Sequence, residues 1–467
     1  MKVNSFISTA LAIIAAPCAF AVPVPYDGQM EPGEYTISTY AQLTNFTQAV
    51  RGTYQNPGFP FTNSTITLTA DIDCNGGIIA GHERHGNYYD PSSFSGVFDG
   101  AGHTIRNYSV NVKKANAYET GQVSYGLAMF DVVRDGAVIR NLKLDTTIID
   151  RADPTSSNPD DRYYPFDAPC AAAFAMYAEG ANAVTFENCT FKGMVSYHGS
   201  AAAFIGKATR NPADAPDSAV VTLTGCGLAK YVNIHAQTNT VKSVKSVAGG
   251  LVAEGVGIVA TDCSAGTSSE DQIWIDGASL AGGIAGRAAD STFTRCTSAA
   301  NVAYQSEMPA VSGDGCGGIV GHASNSTFRN CASCASVTWS SPVIAEGWWR
   351  RTAARSFSAI GGMAGLTDGA SEFYDCTVSN TLSCVYGLGG GFVGWTAGAE
   401  TFSNCTAVVT VKDEEHSQYV VGGFAASVAS SGARFIDCTV EATGDDLKSG
   451  FVDVQDAYAE AGPVGTN

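Results

Sequence analysis

From Phe186 to Thr439 the apolar and polar positions follow a recurring phrase, seen in Phe186-Glu187-Asn188-Cys189-Thr190 and again in Phe293-Thr294-Arg295-Cys296-Thr297. The phrase has an apolar residue three places before a cysteine and usually Ser, Thr or Ala after it. It is centred on Cys189, Cys226, Cys263, Cys296, Cys331, Cys376, Cys405 and Cys438, with steps of 37, 37, 33, 35, 45, 29 and 33 residues. Such regularity marks a repeat, and the unequal steps mark a coil with loops of variable length. A second phrase keeps time with it: Gly249-Gly250, Gly282-Gly283, Gly317-Gly318, Gly361-Gly362, Gly390-Gly391 and Gly422-Gly423, each starting 14 to 16 residues before a ladder cysteine.

Two short β-rich phrases per turn, bounded by Gly, Asn, Asp or Ser, predict one rung of a parallel β-helix, in which every strand pairs with its equivalent one turn away. Rungs lie ~4.8 Å apart, so equivalent side chains stack into ladders, and roughly eleven rungs would give a rod ~50 Å long. The apolar positions face a central core, and the Asn or Asp before each Cys sits at a bend. The glycine pairs either take positive φ at a corner or let one rung press on the next.

The paired phrases G-G-Φ-Φ-G and F-x-N-C-T resemble the GLUG repeat of bacterial surface and adhesin-like proteins. The likeness covers Phe186 to Thr439 and extends to Phe94-Ser95-Gly96-Val97-Phe98-Asp99-Gly100-Ala101-Gly102-His103-Thr104-Ile105, which is similar to an opening rung. It implies an all-β, right-handed parallel β-helix and leaves activity undefined. Some proteins bearing the repeat also carry a metallopeptidase domain. His82, Glu83, His85 and Asp90 do not form its H-E-x-x-H signature, and this stretch reads as a hydrophilic loop.

At the start, Lys2, the apolar run Phe6 to Ala16 and Ala19-Phe20-Ala21 predict a signal peptide over residues 1–21, too short to span a bilayer. Residues 22–92 are read as an N-terminal cap with the first strands, 93–440 as the β-helix, and 441–467 as a C-terminal tail. In the cap, Tyr35-Thr36-Ile37 predicts a strand. Leu43, Phe46 and Val50 have helical spacing, with Ser38 or Thr39 capping the start and Gly52 the end. That helix would cover the open first rung and protect its edge. Thr65 to Asp73 alternates as a half-buried strand with Ile66, Leu68, Ala70 and Ile72 inward. Val138 to Leu144 reads as a rung in register with Thr104 to Tyr108 but lacking the cysteine.

Composition narrows the partners. The chain has 26 basic and 44 acidic residues. Removing Lys2 with the signal leaves 25 − 44 = −19, which disfavours nucleic acid and anionic lipid surfaces. Neither a transmembrane segment nor an outer-membrane barrel pattern follows the signal. Of 14 cysteines, 13 remain after cleavage. Stacked ladder thiols have parallel Cβ vectors, which disfavour the disulfide torsion, so these eight are read as reduced packing residues. Cys74, Cys170, Cys316, Cys334 and Cys384 are the better disulfide candidates. Cys331-x-x-Cys334 lacks the second pair a zinc site needs.

Two stretches carry candidate chemistry. Asp153, Asp160 and Asp161, in the 150–169 insertion with Tyr163 and Tyr164, supply oxygen ligands for a structural calcium or line a sugar groove. No other cofactor is expected. Trp348, Trp349, Arg350 and Arg351 fall in the longest step, where indoles suit sugar rings and guanidinium groups suit carboxylates. The function expected is a secreted or cell-surface, adhesin-like binding protein that presents loops on a rigid rod to a polysaccharide or cell-surface glycan. A β-helical polysaccharide lyase or glycoside hydrolase is the alternative, and a structural surface-layer or matrix component the third. Acids for such an enzyme would have to come from places such as Asp262, Asp276, Asp290, Asp375 and Asp437, but no catalytic residue is assigned: Asp262, Asp375 and Asp437 share the slot of Asn188, Asn330 and Asn404, which marks them as bend residues.

Overall fold

A computed structural model describes residues 22–23, 31–51, 58–80, 93–110, 128–149, 170–210, 218–237, 246–305, 313–340, 359–384, 386–412, 418–429, 432–443 and 452–455. The signal peptide and the His82 loop lie outside them, as does Gly52. The described chain is a parallel β-helix. One rung shows the path: Thr292–Thr294 in sheet 1, Thr297–Ser298 and Asn301–Gln305 in sheet 2, Gly315–Gly317 in sheet 3, and Val320–Ser324 in sheet 4. The next rung begins at Thr327–Arg329, paired parallel with Thr292–Thr294. Among the described residues, sheets 1 to 4 contain 13, 14, 8 and 11 strands. Sheet 1 exceeds the expected eleven because Val22–Pro23 and Glu34–Ile37 stack ahead of Thr65–Leu68.

The core is a set of stacked ladders, because equivalent apolar residues are held at the rung spacing. Phe293, Phe328, Phe373, Phe402 and Phe435 stack face to face at 4.8, 4.6, 5.0 and 5.0 Å. Phe392 and Phe424 form a second stack, 4.7 Å apart, that meets the first edge-on. Stacked and T-shaped contacts both suit the ring quadrupole. The eight-cysteine ladder runs beside them: Cys189 to Cys405 are buried, and Cys438, on the last rung, is partly exposed. Each thiol lies within hydrogen-bond reach of two carbonyls, as Cys296 does of Ala260 O at 3.5 Å and Thr294 O at 3.6 Å. Contact with the Cys263 and Cys331 thiols, together with burial, pushes the Cys296 thiol well above its usual range.

The bend before each cysteine is left-handed: Asn188, Asp262, Asn330, Asp375, Asn404 and Asp437 have φ between 51 and 55°. Asn and Asp tolerate this region because their short side chains bond locally. Arg295 takes the same conformation with φ 52° and is anchored by donating to both Asp262 oxygens at 2.7 and 2.8 Å. That guanidinium holds the Asp262 carboxyl below its ordinary range.

The glycine pairs work by close approach: none of the paired glycines has positive φ. A Cβ on Gly282 would lie 1.9 Å from Ala285 O in its own turn, and one on Gly283 would lie 2.1 Å from Gly318 O in the next. Earlier rungs carry Ala172-Ala173 and Ala202-Ala203 instead. Their corners use a different bond, Ala173 N–H to Ala203 O, where the glycine corners use Gly250 N–H to Gly282 O.

Helix α1 (Tyr40–Arg51) caps the first rungs, with Leu43, Phe46 and Val50 buried. Thr39 accepts from Gln42 N–H, while Gln42 Oε1 reaches back to Ser38 N–H. Phe46 packs against Phe61, Phe94, Phe98 and Phe130. The buried Arg51 donates to Asp131 and to the carbonyls of Ala128 and Met129, tying the cap to the coil.

Three expectations need correction. Thr65 to Asp73 is two strands, Thr65–Leu68 and Ile72–Asp73, because the chain turns from sheet 1 into sheet 2 there, leaving Ala70 only partly buried. Val138–Arg140 pairs with Val97–Asp99, and it is Lys143–Asp145 that pairs with Thr104–Arg106. The corner at Asn141 (φ 51°) splits that phrase between two sheets, and Leu142 takes the buried slot that the thiol fills later. Finally, Cys74, Cys170 and Cys334 carry no disulfide. Cys74 is buried beside the cap, Cys170 donates to Met176 O inside sheet 3, and Cys334 faces outward, so no two converge. The side chain of Cys384 lies outside the described residues. Cys331 points into the core and Cys334 away from it, which also separates the C-x-x-C pair.

Candidate binding face

Sheet 2 turns one side to the core and the other to solvent, and strict alternation assigns the residues. In Ile273-Trp274-Ile275-Asp276 both isoleucines are buried, which leaves Trp274 and Asp276 outside. The strand before it, Gly227–Ala236, buries Val232 and Ile234 and turns out Asn233 and His235. The strand before that, Thr190–Tyr197, turns out Met194 and Ser196.

Parallel register brings the six together. Met194, Asn233 and Trp274 align in one column, and Ser196, His235 and Asp276 in the next. They line a shallow depression of about 370 Å³. Trp274 is 50% exposed. His235 Nδ1 lies 3.4 Å from Asp276 Oδ2, while Asp276 Oδ1 is buried with no hydrogen-bond donor among the described residues.

A local irregularity shapes the upstream edge. Phe191 pairs with Leu228 and Gly193 with Val232, so three residues, Ala229 to Tyr231, oppose Lys192 alone. The excess length leaves Tyr231 at φ 64° and 60% exposed, two residues ahead of Asn233. On the partner strand the excess grows to Gly266 through Gln272, containing a one-turn helix (Ser269–Asp271) capped by Ser268, with Lys230 Nζ 3.3 Å from Asp271. Bulges commonly re-aim side chains beside binding sites. Gly193 has φ 120°, and its Cα faces Thr146 O so closely that a Cβ would lie 1.9 Å from it.

The residues singled out from sequence fall elsewhere. Asp153, Asp160, Asp161, Tyr163, Tyr164, Trp348, Trp349, Arg350 and Arg351 lie outside the described residues. Both stretches join sheet 2 to sheet 3, between Ile149 and Cys170 and between Ser340 and Ala359. Their strand anchors therefore share one corner of the coil, five rungs or about 24 Å apart. Among the described residues no cluster of three metal-ligating side chains occurs. Trp339, in the longest step, is buried and stacks on Tyr304 at 4.0 Å. Of the acids considered for catalysis, Asp262, Asp375 and Asp437 occupy the left-handed bend. Asp290 takes another corner with φ 48°, where Arg210 holds it at 3.1 Å. Only Asp276 belongs to the depression. Trp274, Asn233 and His235 were not singled out, although the I-W-I-D alternation was signal enough for the tryptophan.

No family model matches the chain, and no curated protein matches it in sequence. Among solved structures it is similar to a candidate immunoglobulin A1 protease from Bacteroides ovatus, at 16% identity over 71% of this chain and 83% of that one, with a TM-score of 0.45. It is also similar to an IgA1 protease, at 13% identity and a TM-score of 0.31, covering 91% of this chain; it spans 22% of that protein's length. These likenesses carry no argument about residues or activity. The class rests on the strand topology: an all-β parallel β-helix with one capping helix. No helix among the described residues is long and apolar enough to cross a membrane.

Proposed function

We propose that this is a secreted or cell-surface, adhesin-like protein that binds glycans on the outward face of sheet 2. One observation carries the reading: a half-exposed Trp274 on a rigid sheet, with amide, hydroxyl, imidazole and carboxylate groups in the adjoining positions. An exposed indole is costly unless it contacts something, and its flat face suits the C–H face of a sugar ring while neighbouring polar groups take the hydroxyls. Support also comes from the likeness of the repeat to GLUG proteins and from the signal-like residues 1–21. Binding is favoured over cleavage because the depression is lined by a single carboxylate, Asp276, and glycoside hydrolysis ordinarily needs two.

The test exposes mature protein to immobilised plant, algal and mucin-type polysaccharides and scores retention and new chain ends together. Retention without new ends, lost in Trp274→Ala, is the expected result. New chain ends would replace this reading with an enzyme, and no retention on any polymer would end it.

A further inference from the structure

We infer that the depression takes a neutral run of three pyranose sugars laid along the coil axis, and that it discriminates against acidic sugars. This rests on the glycan-binding reading and adds the ligand class and its direction. The two columns differ in character. One reads Met194, Asn233, Trp274, with an apolar side chain at each end and an amide between; the other reads Ser196, His235, Asp276 and is polar throughout. A ligand complementary to both has two apolar faces in line, joined by a polar link, with hydroxyls along one edge. Three linked pyranose rings have that form, the first over Met194 and the third over Trp274, because adjacent linked rings are only about half the two-rung spacing apart. The first and third rungs lie about 10 Å apart, which sets the direction along the axis rather than across it. The depression's volume of about 370 Å³ is at the small end for a ligand site.

Charge decides the class of sugar. The lining holds no Lys or Arg and one carboxylate. An ionised carboxylate only accepts hydrogen bonds, so the ligand must bring O–H donors, and a uronate or sialate brings like charge instead. The chain's net charge of −18 adds to that repulsion at long range. This differs from the acidic glycan suggested by Arg350 and Arg351, which are not part of this face.

Calorimetric titration of the intact mature protein tests it with cellotriose, maltotriose and mannotriose as neutral probes, methyl glucoside as a single ring, and trigalacturonate and sialyllactose as acids. At least one neutral trisaccharide is expected to bind, with methyl glucoside and both acids tenfold or more weaker. Trp274→Ala should lose tenfold or more with an unchanged circular dichroism spectrum, as befits an outward position. Asp276→Asn should weaken the neutral probe and narrow the gap to trigalacturonate. If an acid binds as tightly as any neutral probe, this inference fails while glycan binding on sheet 2 stands; affinity that survives Trp274→Ala overturns both. Polysaccharide retention without binding of any trisaccharide also overturns it, and absence of both overturns the underlying reading as well.

Discussion

Replacing Phe328 by Ala removes an interior member of the longest aromatic stack. Phe328 is fully buried between Phe293 at 4.8 Å and Phe373 at 4.6 Å, with interplanar angles of 3 and 4°. A core Phe→Ala change costs about 3–5 kcal/mol. Two stacking partners, each worth about 0.5–1.5 kcal/mol beyond burial, place this site near the top of that range. Phe435, further along the same stack, has one stacked neighbour among the described residues, Phe402 at 5.0 Å, meets Phe424 edge-on at 5.7 Å, and is only partly buried. Its truncation forfeits less area and one stack, so the expected loss is about half as large, ~2 kcal/mol. Because each rung contacts mainly its neighbours, the damage should stay local. Urea unfolding measures the totals, and amide hydrogen exchange measures the spread. Protection should fall most in peptides covering 292–294, 327–329 and 372–374. Equal losses for Phe328→Ala and Phe435→Ala, or a uniform loss of protection along the coil, would refute the stacked-ladder account.

Gly283→Ala should lower the melting temperature sharply, since its methyl would meet Gly318 O and Ser298 Oγ, each at 2.1 Å, and overpacking of this kind costs about 1–3 kcal/mol. Ala202→Gly, in a corner that already holds a methyl, should cost about 1 kcal/mol or less; similar melting temperatures for the two variants would count against the close-approach role. Burial pushes the carboxyl of Glu400 up from its ordinary 4.5, despite N–H donors at Ala397 and Gly398. The folded state therefore holds that proton more tightly than the unfolded one, and stability drains away as pH rises above the ordinary value. Relative to the parent, Glu400→Gln should be more stable at pH 7 than at pH 4; a pH-independent difference would argue against it. Thiol alkylation of the native protein should label Cys334 and Cys438, which reach solvent, and spare Cys263, Cys296 and Cys331 until denaturant is added. Ladder cysteines that stay silent in denaturant until reduced would instead be bridged.

Much of the architecture was legible from local pattern. The cysteine phrase and glycine pairs announced a β-helix, the Asn or Asp before six of the eight ladder cysteines announced the bend, and Leu43, Phe46 and Val50 announced the cap. These features repeat because every rung solves the same local problem, burying one edge of a short strand and turning without a clash. Alternation also settles which side chains face out, Trp274 among them. What alternation leaves open is which outward residues meet. Met194 pairs with Asn233 and Asn233 with Trp274, separations of 39 and 41 residues, whereas the cysteines of those same rungs are 37 apart at each step. The difference comes from the bulge at Ala229 to Tyr231 and the excursion from Gly266 to Gln272. Those insertions shift the register on one side of the rung and leave the cysteine ladder aligned. Their lengths are visible in the chain, but their placement depends on hydrogen bonds to the neighbouring turns. For that reason the ladder belongs to the sequence, and the binding face to the tertiary structure.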